Sequence, residues 1–266
     1  MRIFENLGKR KVVIGLVHLL PLPGTPFYEE GNVEKALDKA VADATALYQG
    51  GAQGCLVQTV DRIYPVGEEV DYARVAAMST IVQAVSEATG PEFQIGVQIL
   101  WNALKASLAV AKVCGGSFLR CNAFVGATMT PSGMAQSDPV GFQKYRAQLG
   151  THDIKLIAEV DGTHFRWMGG KPTAEVARLA LAAGAHAVEV AHPDEETNMR
   201  MVRDVKEALP DLPVILGGHT NHENVARRLA GADGVFVGSC FETDGWGSHV
   251  DREQVRKYMD IVSVLR

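Results

Sequence analysis

The chain of 266 residues carries a formal net charge of -5, with 47% hydrophobic and 21% charged residues. That is enough to bury a core without disulfide or metal staples, and no stretch reaches the ~18 consecutive apolar residues of a membrane span. An acidic balance without a basic run excludes nucleic acid as a partner and gives no attraction to an anionic membrane.

Val12–His18 is a continuous apolar run, as a strand buried on both faces requires. It leads into a loop stiffened by Pro21, Pro23 and Pro26, so it reads as the first strand and not as a secretion signal. Asn32 is placed to cap a helix through Tyr48, with Val33, Leu37, Ala40, Ala44 and Leu47 on one face. Cys55–Thr59 is the second predicted strand, and Asp71 opens a helix to Ala88. After the break at Pro91 comes the third strand, Gln94–Leu100, and Asn102 opens an alanine-rich helix to Val113. Phe118–Phe124 is the fourth strand. The loop from Val125 to Asp138 has no regular pattern and the length of a functional cover. Asp138-Pro139 then starts a helix as cap and first-turn proline. Lys155–Asp161 is the fifth strand, followed by a second long loop, Gly162–Lys171, and a helix over Thr173–Ala183. The pattern closes with Ala187–His192, a helix over Glu195–Leu209, Val214–Gly218, a helix capped by Asn221, Gly234–Cys240, and a last helix capped by Asp251.

Four helices are predicted to stop at Gly51-Ala52, Gly115-Gly116, Gly184-Ala185 and Gly231-Ala232, because glycine adopts the left-handed backbone that closes a helix. The stops lie roughly 50–70 residues apart, about two strand–helix units each. Eight such units predict an α/β fold, one (β/α)8 TIM barrel over residues 1–266, with its chemistry at the carboxyl ends of the strands.

Those strand ends supply few candidates. Gly217 and Gly218 follow the seventh strand, and Gly238 and Ser239 the eighth, where barrels often hold phosphate with backbone amides. The alternative is that these glycines only permit tight turns. His18, Gln58, Gln98, Arg120, Asn122, Glu159, Asp161, Glu189 and His192 lie at strand ends, and His164 in the second long loop. Alternation puts Arg120 with Asn122, and Glu159 with Asp161, on one face, and predicts an Arg120–Glu159 pair between neighbouring strands. Asp161, nearer the mouth, is the first choice for a general acid or base. His18, Asp161, His164 and His192 leave a divalent metal open without any local ligand motif, and no other cofactor is implied. No lysine lies in the carboxyl half of a strand, which removes a Schiff-base aldolase, and no dinucleotide fingerprint follows a strand. Cys55, Cys114, Cys121 and Cys240 are scattered and read as reduced thiols of a cytoplasmic protein.

Several strings resemble one family. They are Val13-Ile14-Gly15-Leu16-Val17-His18 with Leu19-Leu20-Pro21-Leu22-Pro23-Gly24, Gly96-Val97-Gln98-Ile99-Leu100-Trp101-Asn102, and Phe118-Leu119-Arg120-Cys121-Asn122 with Gly126-Ala127. Glu223-Asn224-Val225, Asp233-Gly234, Asp244-Gly245 and Val250-Asp251 continue the likeness. Through these the chain resembles the BtpA family, which includes SgcQ-type proteins and is named for a factor needed to accumulate photosystem I. The resemblance implies a TIM barrel from an enzyme lineage. The chain departs from the family pattern at Gln58, where an amide replaces a carboxylate and cannot act as a base. Trp246-Gly247-Ser248-His249 is also atypical.

Three functions follow as expectations. The first is an enzyme acting by acid–base chemistry on a small phosphorylated metabolite, a sugar phosphate or nucleoside-like compound, with isomerase, lyase and glycosidic hydrolase all compatible. The second is a non-catalytic biogenesis factor for a membrane complex of the photosystem I type, and the third a small-molecule sensor. A homo-oligomer is compatible with each.

Overall fold

The computed structural model describes residues 3–7 and 9–265. The strands are, in chain order, β1 (Val12–His18), β2 (Gly54–Gln58), β3 (Gln94–Gln98), β4 (Phe118–Cys121), β5 (Ala127–Thr130), β6 (Gly133–Gln136), β7 (Lys155–Asp161), β8 (Ala187–Val190), β9 (Val214–Leu216) and β10 (Gly234–Val237). All except β5 and β6 are parallel and close into a barrel in the order β1-β10-β9-β8-β7-β4-β3-β2. β7 therefore stands diametrically opposite β1. The helices are α1 (Ile3–Asn6), α2 (Asn32–Gln49), α3 (Tyr72–Ala88), α4 (Leu104–Cys114), α5 (Pro139–Leu149), α6 (Thr173–Ala183), α7 (Glu195–Ala208), α8 (Val225–Arg228) and α9 (Arg252–Ser263). The expected TIM barrel is present. Among the described residues no helix is long and apolar enough to cross a membrane.

Strand alternation divides the apolar residues into two cores. Ile14, Leu56, Phe118, Ile157, Ile215 and Phe236 fill the barrel, while Val13, Val57, Val97, Val188, Val214 and Val235 pack outward against the helices. Gly96 is required by this filling, since a Cβ there would lie 2.2 Å from the Phe118 ring. At the amino-terminal end α1 sets Phe4 against Phe118 and His186, with ring centroids 6.3 and 6.4 Å apart.

Local details depart from expectation for identifiable reasons. Gly51, Gly115 and Gly184 take positive φ, but Gly231 does not, because α8 has already ended at Arg228. Gly31, not Asn32, is the residue before α2, and Asn102 caps no helix. Asn102 instead clasps the backbone of Ala123, donating to its carbonyl at 3.0 Å and accepting its N–H at 3.1 Å. The loop expected over Val125–Asp138 contains the antiparallel hairpin β5–β6. Thr128 and Ala135 point in while Met129 and Met134 are exposed, a period-two pattern too short to stand out in the sequence. Asp138, Asp71 and Asp251 do cap helices.

His186 belongs to the stabilising end of the barrel. Its Nδ1 accepts the Leu156 N–H at 3.2 Å, and burial, with Lys155 and Arg146 nearby, lowers its pKa to about 4. The unfolded chain binds this proton near the ordinary pKa of about 6.5, so stability is complete above that value and falls as pH drops toward 4. Urea unfolding at pH 7 and pH 5 should show a wild-type loss exceeding that of His186→Asn by about 1 kcal/mol, a figure reduced for the ring's partial exposure. Equal losses in the two proteins would remove His186 from the acid response.

Candidate active site

The inward positions change character toward the carboxyl end of the barrel. His18, Gln58 and Gln98 stand in register on β1, β2 and β3 and form one polar row. Gln98 donates to Asn122 Oδ1 at 2.8 Å, and Asn122 donates to the Trp101 carbonyl at 3.3 Å. The carbonyl oxygens of Gln58 and Gln98 are buried without a partner, on side chains of residues only 7% and 2% exposed.

Beneath the mouth Arg120 lies over the Phe236 ring, its guanidinium carbon 5.2 Å from the centroid. The predicted partner was Glu159, but the bidentate bond goes to Glu189, one strand further, at 2.5 and 2.6 Å. The predicted Arg120–Glu159 ion pair is also present, longer at 3.7 Å, and Glu159 has closer partners. Its Oε1 accepts the N–H groups of His164 and Phe165 at 2.8 and 3.2 Å, and its Oε2 lies 3.1 Å from His164 Nδ1. Burial alone would raise the Glu159 pKa; His164 and Arg120 outweigh it and hold the carboxyl below its usual value. Burial lifts Glu189 above the usual value against the pull of Arg120, with Glu159 adding repulsion. Two glutamates share one guanidinium, so the ionisation of each carboxyl is linked to that of the other.

Asp161 does not join this cluster. A register shift between Glu159 and Asp161 pairs Asp161 with Val190, an outer-core residue, and breaks the expected common face. Its Oδ2 accepts the Thr173 hydroxyl at 2.7 Å at the start of α6. His18 has a partner that sequence reading missed: its Nδ1 lies 2.7 Å from Glu242 Oε1, in the loop after β10, and both side chains are buried. From outside, Lys39 holds the His18 carbonyl at 3.1 Å and Asp43 at 2.5 Å. His192 turns to the start of α7, its Nδ1 accepting the Asp194 N–H at 3.1 Å. The suggested convergence of His18, Asp161, His164 and His192 is therefore absent, each being held by a different partner. Among the described residues no three His, Cys, Asp or Glu side chains are grouped to hold a metal ion.

The glycines of the last two loops divide by role. A Cβ on Gly217 would lie 2.2 Å from Glu189 Oε1, and one on Gly238 3.1 Å from His18 Cε1, so these two make room for side chains. Gly218 has φ 112 and open space around it, and His219 follows with φ 57. Among the described residues the amides of Gly218, His219 and Ser239 have no protein acceptor. The two long loops, which follow the neighbouring strands β4 and β7, are joined at the rim by Thr128 Oγ1 accepting the Arg166 N–H at 3.1 Å, and Trp101, in the loop after β3, meets His164 edge to face at 6.5 Å. A cavity of about 650 Å³ opens at the other end, lined by Phe4, Gln94, Lys112, Ser117, Asp153 and Lys155, far from these pairs.

The family model for BtpA matches residues 9–264. This chain is a member of the BtpA family. The photosystem I biogenesis protein BtpA of Synechocystis is 28% identical over 250 residues, covering 92% of this chain and 85% of that one. The putative sgc region protein SgcQ of Escherichia coli is 26% identical over 275 residues, covering 98% of each. Among solved structures, tryptophan synthase of Mycobacterium tuberculosis aligns at TM-score 0.65 and 19% identity, covering 98% of this chain and 96% of that one. Phosphoribosyl anthranilate isomerase of Thermococcus kodakaraensis aligns at TM-score 0.56 and 12% identity, covering 96% and 99%. These two likenesses carry the fold alone.

In this BtpA-family barrel Arg120 is the cation on which two buried carboxylates rely. Arg120→Met should cost about 3–5 kcal/mol in urea unfolding, and adding Glu189→Gln should recover much of it. A loss below about 1 kcal/mol for the single variant would show that the carboxylates are balanced by something else.

Proposed function

We propose that the protein is an enzyme that binds a small phosphorylated metabolite at the carboxyl-terminal mouth and moves protons with two histidine–glutamate pairs. The observation that carries this reading is the placement of those pairs, His18–Glu242 and His164–Glu159, on opposite walls of the barrel. When Nδ1–H donates to a carboxylate, the ring is fixed and Nε2 is left to exchange a proton with a ligand. A ligand between the walls then meets one group able to take a proton and another able to give one, which suits isomerisation or elimination. Asp161, bound to Thr173, is moved from acid–base duty to loop support.

The phosphate is assigned to the amides of Gly218, His219 and Ser239, which lack protein acceptors. Gln58 and Gln98 would accept from ligand hydroxyls, with Arg120 and Asn122 fixing the floor. His192 would have at most a peripheral part. No metal is needed for these roles, and the four free cysteines accord with a cytoplasmic setting. The name of the Synechocystis relative suggests an assembly-factor role instead, for which the exposed Met129, Met134, Met168 and Trp246 at the mouth would be the surface. That reading gives the buried pairs no use.

A thermal-shift screen against phosphorylated metabolites tests the phosphate. A true ligand at a hundred times its Kd should stabilise by about 2.7 kcal/mol, and Ser239→Asp should abolish the response by charge repulsion without disturbing left-handed backbone. Equal responses in wild type and variant would remove the phosphate assignment. For a hit that is turned over, His18→Asn and His164→Asn should each lower kcat by about 10²–10⁴ while the shift persists. Unchanged turnover in either variant would take that histidine out of the mechanism.

A further inference from the structure

Trp246 is an unexplained feature of the mouth. Its ring lies over His18 with centroids 5.3 Å apart, yet the residue is 64% exposed. It stands between Gly245 and Gly247, at φ 89 and 87, with open space about both. The turn is not loose, because the Gly247 N–H donates to Glu242 Oε2 at 3.1 Å while the other oxygen of that carboxylate holds His18. One carboxylate thus positions both the histidine and the indole above it. An indole left mostly in water at the mouth offers a flat apolar face for something to cover. Next to His18 in register stand Gln58 and Gln98, whose unpartnered buried oxygens call for two donors from a ligand.

These three demands fit one chemical class. We propose that the mouth takes a nucleotide-like ligand, with a planar ring stacked on Trp246 and a vicinal diol donating to Gln58 and Gln98. The phosphoryl part rests on the phosphate reading above; the ring and diol do not. A simple sugar phosphate supplies the hydroxyls but nothing flat for the indole. Stacking of a base on an aromatic side chain tolerates any base and is worth about tenfold or more in affinity.

The test titrates the full chain with the four ribonucleoside 5′-monophosphates, their 2′-deoxy analogues, the unphosphorylated nucleosides and ribose 5-phosphate. Affinity is read by tryptophan fluorescence and by thermal shift, with Trp246→Phe and Trp246→Ala alongside. At least one ribonucleotide should bind about tenfold tighter than ribose 5-phosphate, and its deoxy analogue about tenfold more weakly than itself. Trp246→Ala should erase the advantage of the ring, and Trp246→Phe should keep most of it, with unliganded melting temperatures unchanged. Ribose 5-phosphate binding as well as every nucleotide, or a ring advantage that survives Trp246→Ala, overturns the proposal while leaving the phosphate reading intact. Nucleosides that bind through Trp246 without any gain from phosphate support the ring and overturn the phosphate. Binding of none of the panel overturns both.

Discussion

A guanidinium inside a closed barrel cannot be left unpaired, and much of the mouth follows from how Arg120 is neutralised. Glu189 meets it with both oxygens, which requires that Gly217, just past the neighbouring strand β9, carry no side chain. Because Glu189 satisfies the guanidinium, Glu159 is free to clasp the backbone of His164 and Phe165. That clasp folds the loop after β7 back over the strand ends, and the hairpin β5–β6 then joins it through Thr128. Charge compensation in the floor so becomes loop geometry at the rim.

Much of this architecture was legible in the chain, because it depends on periodicity and punctuation. Apolar runs such as Val12–His18 and Lys155–Asp161 recur with helical segments between them, and aspartates at 71, 138 and 251 mark helix starts. The strands end two or three residues short of Phe124, Leu100, His192, Gly218 and Cys240, since apolar and small residues continue after the ladder hydrogen bonds stop. What the chain concealed is tertiary. A single bulge moves Asp161 off the face it would share with Glu159, and no local residue announces it. Glu242 lies more than two hundred residues from His18 in a loop of mixed polarity, where nothing distinguishes it from a solvated carboxylate.

The glycines show how one residue type serves unrelated ends. Gly115 and Gly184 close helices through left-handed backbone, whereas Gly217 and Gly238 are small so that Glu189 and His18 fit beside them. Composition cannot separate the two uses. Only the neighbours do, and they come from other strands. Of Gly217, Gly218 and Gly238, it is Gly218 that has both positive φ and vacant surroundings, which is why the phosphate assignment leans on it and not on the other two.

The barrel class itself discriminates little among functions, since tryptophan synthase and phosphoribosyl anthranilate isomerase share its outline at 19% and 12% identity. The balance of buried charge says more. Replacing an ionic cluster by packed apolar side chains is often neutral or stabilising, so Arg120, Glu159 and Glu189 are poorly accounted for as structural cement. They are better accounted for by what they hold, namely the loop that carries the His164 ring over the strand ends. On the facing wall His18 is held by the Glu242 carboxylate. Two imidazoles fixed by carboxylates on facing walls can each turn Nε2 toward a molecule held between them, which is the arrangement the proposed proton transfer requires.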